Sequence, residues 1–213
     1  VGIYSNITIS VSDGVASDTL NAFSIEVTNT NDAPTISGTP STSVAEDSTY
    51  SFTPIGSDID SGDTLTYSII NRPSWLNFNS ATGALTGTPD NDDVGTYSNI
   101  SISVSDSVIS DTLDAFSIEV TNVNDAPIIS GTPASSIAED STYSFTPTGS
   151  DVDGDSLTYT INNRPSWLSF NSTTGALTGT PYNDDVGIYS NITISVSDGV
   201  ASDTLNAFSI EVT

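Results

Sequence analysis

The chain has 213 residues, of which 27 are acidic and only two are basic, giving a formal net charge of −25. This charge excludes nucleic acid and anionic membrane surfaces as partners, because both require cationic patches. Cysteine is absent, which excludes disulfide stabilisation. No apolar run reaches the roughly 18 residues of a membrane span, so we expect no membrane insertion.

An internal repeat organises the chain. Residues 1–28 match residues 94–121 and 186–213. We therefore predict the last third of an incomplete repeat at 1–28, followed by two whole repeats at 29–121 and 122–213.

Residues 1–28 contain two runs, 7–11 and 23–27, that alternate apolar and polar residues. Each is typical of a half-buried strand. Two strands with one apolar face are not stable alone in water. We expect them to be completed by a neighbouring copy or to lie on the next repeat, unless the boundary is arbitrary.

The first whole repeat contains seven strand-like runs and no helical periodicity. The pattern predicts an all-β fold of tandem seven-stranded Greek-key β-sandwiches. The runs lie at residues 35–37, 50–53, 65–69, 75–78, 84–86, 100–104 and 116–120.

Aromatic and basic residues recur at fixed places in the repeats. Trp75 and Trp167 belong to a repeated Arg-Pro-Ser-Trp-Leu phrase. A core tryptophan is favoured over a sugar-stacking platform, because large aromatics anchor sandwich cores. Arg72 is expected to form a local ion pair or hydrogen bond, and Tyr97 to fix a corner of the sandwich.

Acidic residues collect at four predicted strand ends or loops in each repeat. With no histidine or cysteine, the composition favours Ca²⁺, which takes six to eight oxygen ligands, over zinc or copper. The alternative is that these carboxylates only solubilise loops. The clusters are Glu46-Asp47, Asp58-Ile59-Asp60 with Asp63, Asp92-Asp93 and Asp106, and then Glu139-Asp140, Asp151-Val152-Asp153 with Asp155, Asp184-Asp185 and Asp198.

Two short linkers, 29–34 and 122–127, join successive repeats and end in Ala-Pro. Proline fixes one backbone dihedral and pushes its predecessor toward extended geometry, so each linker should be stiff. Asparagine and aspartate place side-chain oxygens in the same segment. The linkers are therefore candidate parts of a cation site.

The linkers resemble the Asp-x-Asn-Asp-Asn-x-Pro joint of cadherins, Asp58-Ile59-Asp60 resembles their Asp-x-Asp motif, and Asp106 their later single aspartate. Residues 75–89, with the phrase Trp-Leu-x-Phe and then Gly-x-Leu-x-Gly-Thr-Pro, are more similar to dystroglycan-type cadherin-like repeats of large bacterial adhesins. The resemblance covers essentially the whole chain. It implies a calcium-binding, non-catalytic repeat.

The resemblance also implies a composite Ca²⁺ site at the second linker and a partial one at the first. The second set is Glu46, Asp92, Asp93, Asn122, Asn124, Asp125, Asp151, Asp153 and Asp198. The first set is Asn29, Asn31, Asp32, Asp58, Asp60 and Asp106.

The sequence departs from the cadherin pattern at three places. Asn29 and Asn122 stand where the family has its first aspartate, and each linker is one residue shorter. Asp92-Asp93 replaces the Asp-Arg-Glu motif without its glutamate. We therefore expect one or two calcium ions at a joint.

The resulting hypothesis is a calcium-rigidified extension or adhesion repeat at a bacterial surface, with neighbouring repeats as partners and possible homophilic or polysaccharide contacts. Two alternatives stay open: a carbohydrate- or matrix-binding module, and a filament subunit that exchanges strands through residues 1–28. An enzyme is disfavoured, because histidine, lysine and cysteine are absent and the same acidic loops recur in each repeat.

Overall fold

The computed structural model describes all residues, Val1–Thr213, and its regular structure consists of strands and two short 3₁₀ turns. The chain forms two compact units, Val1–Thr121 and Asn122–Thr213. No helix has the length and apolar composition that crossing a membrane requires. The predicted all-β fold is confirmed.

The strands repeat in the same order along the chain. Residues 1–28 form β1 (Gly2–Ile7), β2 (Ser10–Ser12), β3 (Ser17–Thr19) and β4 (Phe23–Val27). The first whole repeat forms β5 (Thr35–Ser37), β6 (Ser43–Ala45), β7 (Tyr50–Phe52), β8 (Ile55–Ser57), β9 (Thr66–Ile70), β10 (Leu76–Phe78), β11 (Leu85–Gly87), β12 (Gly95–Ser105), β13 (Ser110–Thr112) and β14 (Phe116–Thr121). The second forms β15 (Ile128–Ser130), β16 (Ser136–Ile137), β17 (Tyr143–Phe145), β18 (Thr148–Ser150), β19 (Thr158–Asn162), β20 (Leu168–Phe170), β21 (Leu177–Gly179), β22 (Gly187–Ser197), β23 (Ser202–Thr204) and β24 (Phe208–Val212).

Two sheets face each other in each whole repeat. In the first, β10, β11 and β7 form a three-stranded antiparallel sheet. The long strand β12 pairs with β14 along its first half and with β9 and β13 along its second half. The parallel partner β6 extends this sheet at β14. The second repeat has the same pairings, with β22 in the place of β12.

The core lies between these sheets, where the alternating apolar residues of the strands point inward. Leu76 and Leu85 from one sheet meet Ile100 and Ile118 from the other, and all four are fully buried. The equivalent core of the second repeat is Tyr143, Leu168, Leu177, Ile192 and Ile210. In the two whole repeats the period-two pattern therefore placed the core-facing residues correctly. The predicted half-buried strand at 7–11 is wrong, because that segment is divided between β1 and β2 and Ile9 and Val11 are exposed.

Three aromatic or basic residues occupy the positions that the sequence predicted. Trp75 is half-buried, packs against the core cluster and makes edge contacts with Tyr50 and Tyr97. The Tyr97 hydroxyl donates to the Asp93 carbonyl, 2.9 Å away, which fixes the turn before β12. The Arg72 guanidinium donates to the Leu76 carbonyl.

The structure contains strands that the sequence pattern did not reveal, among them β8 and β13. Each is only three residues long, and its sequence is rich in glycine, serine or aspartate. These segments are strands because distant partners pair with them, β5 with β8 and β12 with β13. Tertiary context overrides such weak local preference.

Candidate metal centres

An acidic loop follows β8 in the first repeat. Its three carboxylates, Asp58, Asp60 and Asp63, each bring an oxygen within 4.8 Å of the others. The loop holds its shape because the Asp60 amide donates to the Asp58 Oδ1 atom at 2.8 Å, an Asx-type turn.

The second repeat builds the same cluster from Asp151, Asp153 and Asp155, although its loop is one residue shorter. The amides of Asp153 and Asp155 donate to Asp151 Oδ1 at 3.0 and 3.4 Å. Gly154 has φ +77°, a left-handed conformation that glycine adopts without steric cost. The predicted ligand set omitted Asp63 and Asp155, and the Asp-x-Asp-x-Asp spacing of 151–155 is the signal that could have included them.

One carboxylate oxygen in each cluster is buried without a hydrogen-bond partner. These atoms are the Oδ2 atoms of Asp58 and Asp151. A buried carboxylate oxygen normally has at least one partner, because its desolvation is costly. The orphaned atom lies in an all-oxygen cluster, which is the donor chemistry that Ca²⁺ prefers. The residues therefore fit a calcium ion.

Like charges crowd the first cluster. The pKa of Asp63 is raised, first by desolvation and then by the charges of Asp58, Asp60 and Asp106. A divalent cation would relieve this repulsion.

The linker before each repeat is tied to the acidic loop of that repeat. In the first, the Asp32 amide donates to Asp60 Oδ2 at 2.7 Å, and the Asn31 side-chain amide donates to Asp106 Oδ2 at 2.8 Å. The second repeat has the same pair of bonds, from the Asp125 amide to Asp153 Oδ2 at 2.7 Å and from the Asn124 side chain to Asp198 Oδ2 at 2.9 Å.

One more predicted ligand of each whole repeat, Asp106 or Asp198, lies in the hairpin that follows the long strand β12 or β22. Asp106 is only 6% exposed, and its Oδ1 accepts the amides of Val108 and Ile109, both at 2.7 Å. The Ile109 amide, the Asn31 side chain and the Val108 amide lower the pKa of Asp106, in that order. The pKa of Asp198 is lowered likewise, first by Asn124 and then by the amides of the hairpin. Both carboxylates are therefore charged at neutral pH.

The remaining predicted ligands of the first repeat lie in two places, Glu46 directly after β6 and Asp92 and Asp93 in a 3₁₀ turn. Glu46 is 2% exposed and its amide donates to the Thr121 carbonyl at 3.0 Å. Asp92 and Asp93 lie in the 3₁₀ turn Asn91–Asp93, where the Asp93 carboxylate accepts the Asp90 amide at 3.2 Å. The Asp93 side chain thus caps this turn, which leaves the exposed Asp92 as the better ligand candidate of the two.

The structure does not bring every predicted ligand to a cluster. Asn29 and Asn122 are exposed, and no hydrogen bond ties them to the loop carboxylates. Glu46, Asp92 and Asp93 belong to the unit Val1–Thr121, whereas Asn124, Asp125, Asp151, Asp153 and Asp198 belong to Asn122–Thr213. The composite site therefore stays a prediction.

A family model described as "Putative Ig domain" matches residues 33–121 and 126–213, which are the two whole repeats. The chain belongs to the Putative Ig domain family. Its two matched regions are tandem copies of this domain, in agreement with the sandwich topology of each repeat.

A bacterial adhesin is among the relatives of this Putative Ig domain pair. The chain is 31% identical over 156 residues to the serine-rich adhesin for platelets of Staphylococcus aureus strain MRSA252. The aligned part is 70% of this chain but 11% of the adhesin, so the chain spans a small part of that relative. The two Putative Ig domains are therefore similar in sequence to part of a bacterial adhesin.

Solved cadherin structures share the fold. Mouse cadherin-23 EC22-24 has a TM-score of 0.51 and 16% identity, over 86% of this chain and 67% of that one. Human protocadherin-24 EC1-2 has a TM-score of 0.50 and 21% identity, over 81% of this chain and 94% of that one. The predicted cadherin-like and Ig-like resemblance is confirmed for the fold.

Proposed function

We propose that each repeat is a calcium-binding, non-catalytic adhesin module, and that bound calcium stiffens an array of such modules at a bacterial surface. The observation that carries this proposal is the buried, unpartnered Oδ2 atom of Asp58 and of Asp151, each inside a cluster of three carboxylates. The same arrangement occurs in both whole repeats.

Calcium fits this donor set better than other common cations. The clusters offer carboxylate oxygens, and the chain has no histidine or cysteine for zinc or copper. Mg²⁺ demands near-ideal octahedral geometry and keeps its waters, so it rarely occupies an all-protein site. Ca²⁺ would supply the positive charge that three adjacent carboxylates lack.

The stiffening would act through the linker. Asn124 and Asp125 are bonded to Asp198 and Asp153, so an ion in this cluster would hold the linker against the repeat that follows it. The resemblance to cadherins adds Glu46 and Asp92 as ligands from the preceding repeat. Calcium would then fix the linker at both ends.

The calcium concentration outside a cell suits such sites. Extracellular modules bind Ca²⁺ with dissociation constants of about 10⁻⁴–10⁻³ M. A ligand that binds only the folded, aligned state stabilises that state by about 0.4 kcal/mol per site when its concentration equals its Kd and by about 1.4 kcal/mol at ten times its Kd. The array would therefore be stiff outside the cell and loose where calcium is scarce.

The structure argues against a sugar-stacking role for the repeated tryptophans. Trp75 and Trp167 pack against the cores of their repeats and contact two tyrosines each, so neither presents an open platform. We therefore place adhesion in the repeat array as a whole.

Calorimetric titration of the full chain with CaCl₂ tests the proposal. The double variant Asp58→Asn and Asp151→Asn keeps the Oδ1 acceptor of each loop turn but removes one charge per cluster, and should weaken binding at least tenfold. Asp114→Asn is the matched control, because asparagine occupies the equivalent positions 21 and 206. Equal binding by both variants, or no heat of binding to the natural chain, would refute the metal site.

Small-angle scattering tests the stiffening separately. The maximum dimension and its spread should change when a chelator removes calcium from the natural chain. The double variant should resemble the chelated chain under both conditions. An unchanged scattering profile in a chain that binds calcium would overturn the rod while leaving the metal site in place.

A further inference from the structure

The acidic loops of the two whole repeats differ in the residue that follows the second aspartate. In the first repeat Asp60 precedes Ser61, whereas in the second Asp153 precedes Gly154, because the second loop is one residue shorter. A glycine leaves its peptide nitrogen sterically open, since it has no Cβ. The second loop therefore contains an aspartyl-glycyl pair that can rearrange, and the first loop does not.

The rearrangement starts when the peptide nitrogen of Gly154 attacks the side-chain carboxyl carbon of Asp153. A carbon–nitrogen bond forms, and the nitrogen proton leaves with one carboxylate oxygen and one solvent proton as water. The product is a five-membered succinimide ring. Water then opens the ring at either carbonyl, which gives back aspartate or yields isoaspartate. The net change is an isomerisation that needs no oxidant, reductant or further reactant.

The structure leaves the attacking nitrogen open. The Gly154 amide donates no hydrogen bond, although the Asp153 and Asp155 amides on either side both donate to Asp151 Oδ1. Gly154 is exposed, and no atom beyond its chain neighbours lies within 4 Å of the position that a Cβ would take. The loop also lies outside the strands, so rotation of its backbone breaks no sheet pairing.

Another aspartyl-glycyl pair, Asp198-Gly199, is held in the hairpin after β22. Its aspartate Oδ1 accepts the amides of Val200 and Ala201, both at 2.6 Å, and its glycine amide donates to Ser197 Oγ at 3.1 Å. The pair at residues 13–14 has the same three bonds. Attack at either hairpin would have to break these bonds, so the loop pair should react first.

We propose that Asp153-Gly154 is a site of spontaneous isoaspartate formation, and that a cation bound in the acidic cluster suppresses it. Isoaspartate carries the chain through its side-chain methylene, so the backbone gains one carbon and the carboxylate moves. Asp153 Oδ2, which accepts the Asp125 amide at 2.7 Å, would then no longer hold the linker. The modification would detach the linker from the second repeat and leave the first repeat unchanged.

The suppression rests on the proposed calcium site. Asp153 is one of the three carboxylates of its cluster, and carboxylate oxygens are the ligands of Ca²⁺. The rearrangement requires this carboxyl group to turn toward the Gly154 nitrogen and lose an oxygen, which coordination to an ion opposes. A loop with bound calcium should therefore rearrange slowly, and a loop without it should rearrange quickly.

Incubation of the full chain in chelator at neutral pH, sampled over several weeks, tests the modification. Chymotryptic peptides are separated by liquid chromatography, and fragmentation by electron transfer distinguishes isoaspartate from aspartate. We expect isoaspartate to accumulate at position 153 at least tenfold faster than at positions 60 and 198 in the same samples. No isoaspartate at 153, or equal rates at the three positions, would overturn the proposal.

Exchange of the two loops provides matched variants. Deletion of Ser61 joins Asp60 to Gly62, and insertion of a serine between Asp153 and Gly154 copies the spacing of the first repeat. Each altered loop has a length that the other repeat already accommodates. The deletion should raise the rate at position 60 at least tenfold, and the insertion should lower the rate at position 153 by a similar factor. Rates that do not follow the loop would contradict the assignment to the aspartyl-glycyl pair.

The same incubation in excess CaCl₂ measures the suppression. The rate at position 153 should fall at least tenfold, and the rate at position 198 should change less. An unchanged rate at 153 in a chain that binds calcium by calorimetry would overturn the suppression. A chain that binds no calcium would refute the proposed function together with the suppression, whereas the rate in chelator would still decide whether the modification occurs.

Discussion

Residues 1–28 and 186–213 are one sequence in two settings, and the structure separates what is local from what is not. Both copies form the same hairpin register, with the same irregularity before Ile7 and Ile192. The long strand is continuous in the second copy, as β22, but is interrupted between β1 and β2 in the first. Hairpin pairing is therefore encoded locally, whereas strand continuity and burial depend on the other two-thirds of the repeat.

The comparison also explains the distribution of stability. Strand pairs with an exposed apolar face are marginal in water, and a second sheet supplies the missing burial. A substitution should thus have a large effect in residues 186–213 and almost none at the identical position in 1–28. The following predictions use such matched pairs.

The largest difference is expected for Ile210→Ala against Ile25→Ala. Removing the buried Ile210 side chain from the core should cost about 2–5 kcal/mol. The same change at the exposed Ile25 should stay within about 0.5 kcal/mol. Hydrogen exchange of the amides of residues 23–27 and 208–212, measured in increasing urea, reports on each hairpin separately. Equal costs would mean that the two hairpins are equally packed in solution.

A smaller difference is expected for Asp203→Ala against Asp18→Ala. The first change leaves the Ile129 amide without its acceptor and should cost about 1–3 kcal/mol, whereas the second removes only a local bond to the Thr19 amide. The same urea assay measures this pair. An equal loss would show that the bond to Ile129 contributes nothing.

The Asp203 bond also predicts a pH dependence. The Ile129 amide, and then the Thr204 amide, lower the pKa of Asp203 below its ordinary value of 3.8. A group with a lowered pKa binds fewer protons in the folded chain, so its contribution is complete above the ordinary value and lost as pH falls through the lowered one. The difference between the natural chain and Asp203→Ala should therefore shrink below about pH 4. A difference that persists unchanged at lower pH would contradict the assignment.

The smallest difference is expected for Tyr189→Phe against Tyr4→Phe. The Tyr189 hydroxyl donates to the Asp185 carbonyl at 2.9 Å, and its loss should cost about 0.5–1.5 kcal/mol. Tyr4 makes no such bond, so its change should be neutral. Thermal unfolding monitored by near-ultraviolet circular dichroism checks both. A destabilising Tyr4→Phe would show that residues 1–28 have a partner for this hydroxyl.

The candidate metal centre was predictable in outline but not in detail. The spacing of Asp58 and Asp60, and the linker residues Asn31 and Asp32, indicated a shared oxygen-rich end of the repeat, and the structure brings them together. Sequence alone did not separate Asp92 from Asp93, because the cap that engages Asp93 depends on how the 3₁₀ turn closes. Nor did it show which carboxylate oxygen is buried, since burial depends on neighbours from several loops.

The repeats and the alternating strands could be read from the sequence, because each is a pattern of residues along the chain. Burial and strand pairing required the fold: Ile25 is exposed whereas Ile210 is buried, and β8 and β13 are strands because distant segments pair with them. The physical reason is that burial, strand pairing at a sheet edge and the crowding of charges are set by residues distant in sequence.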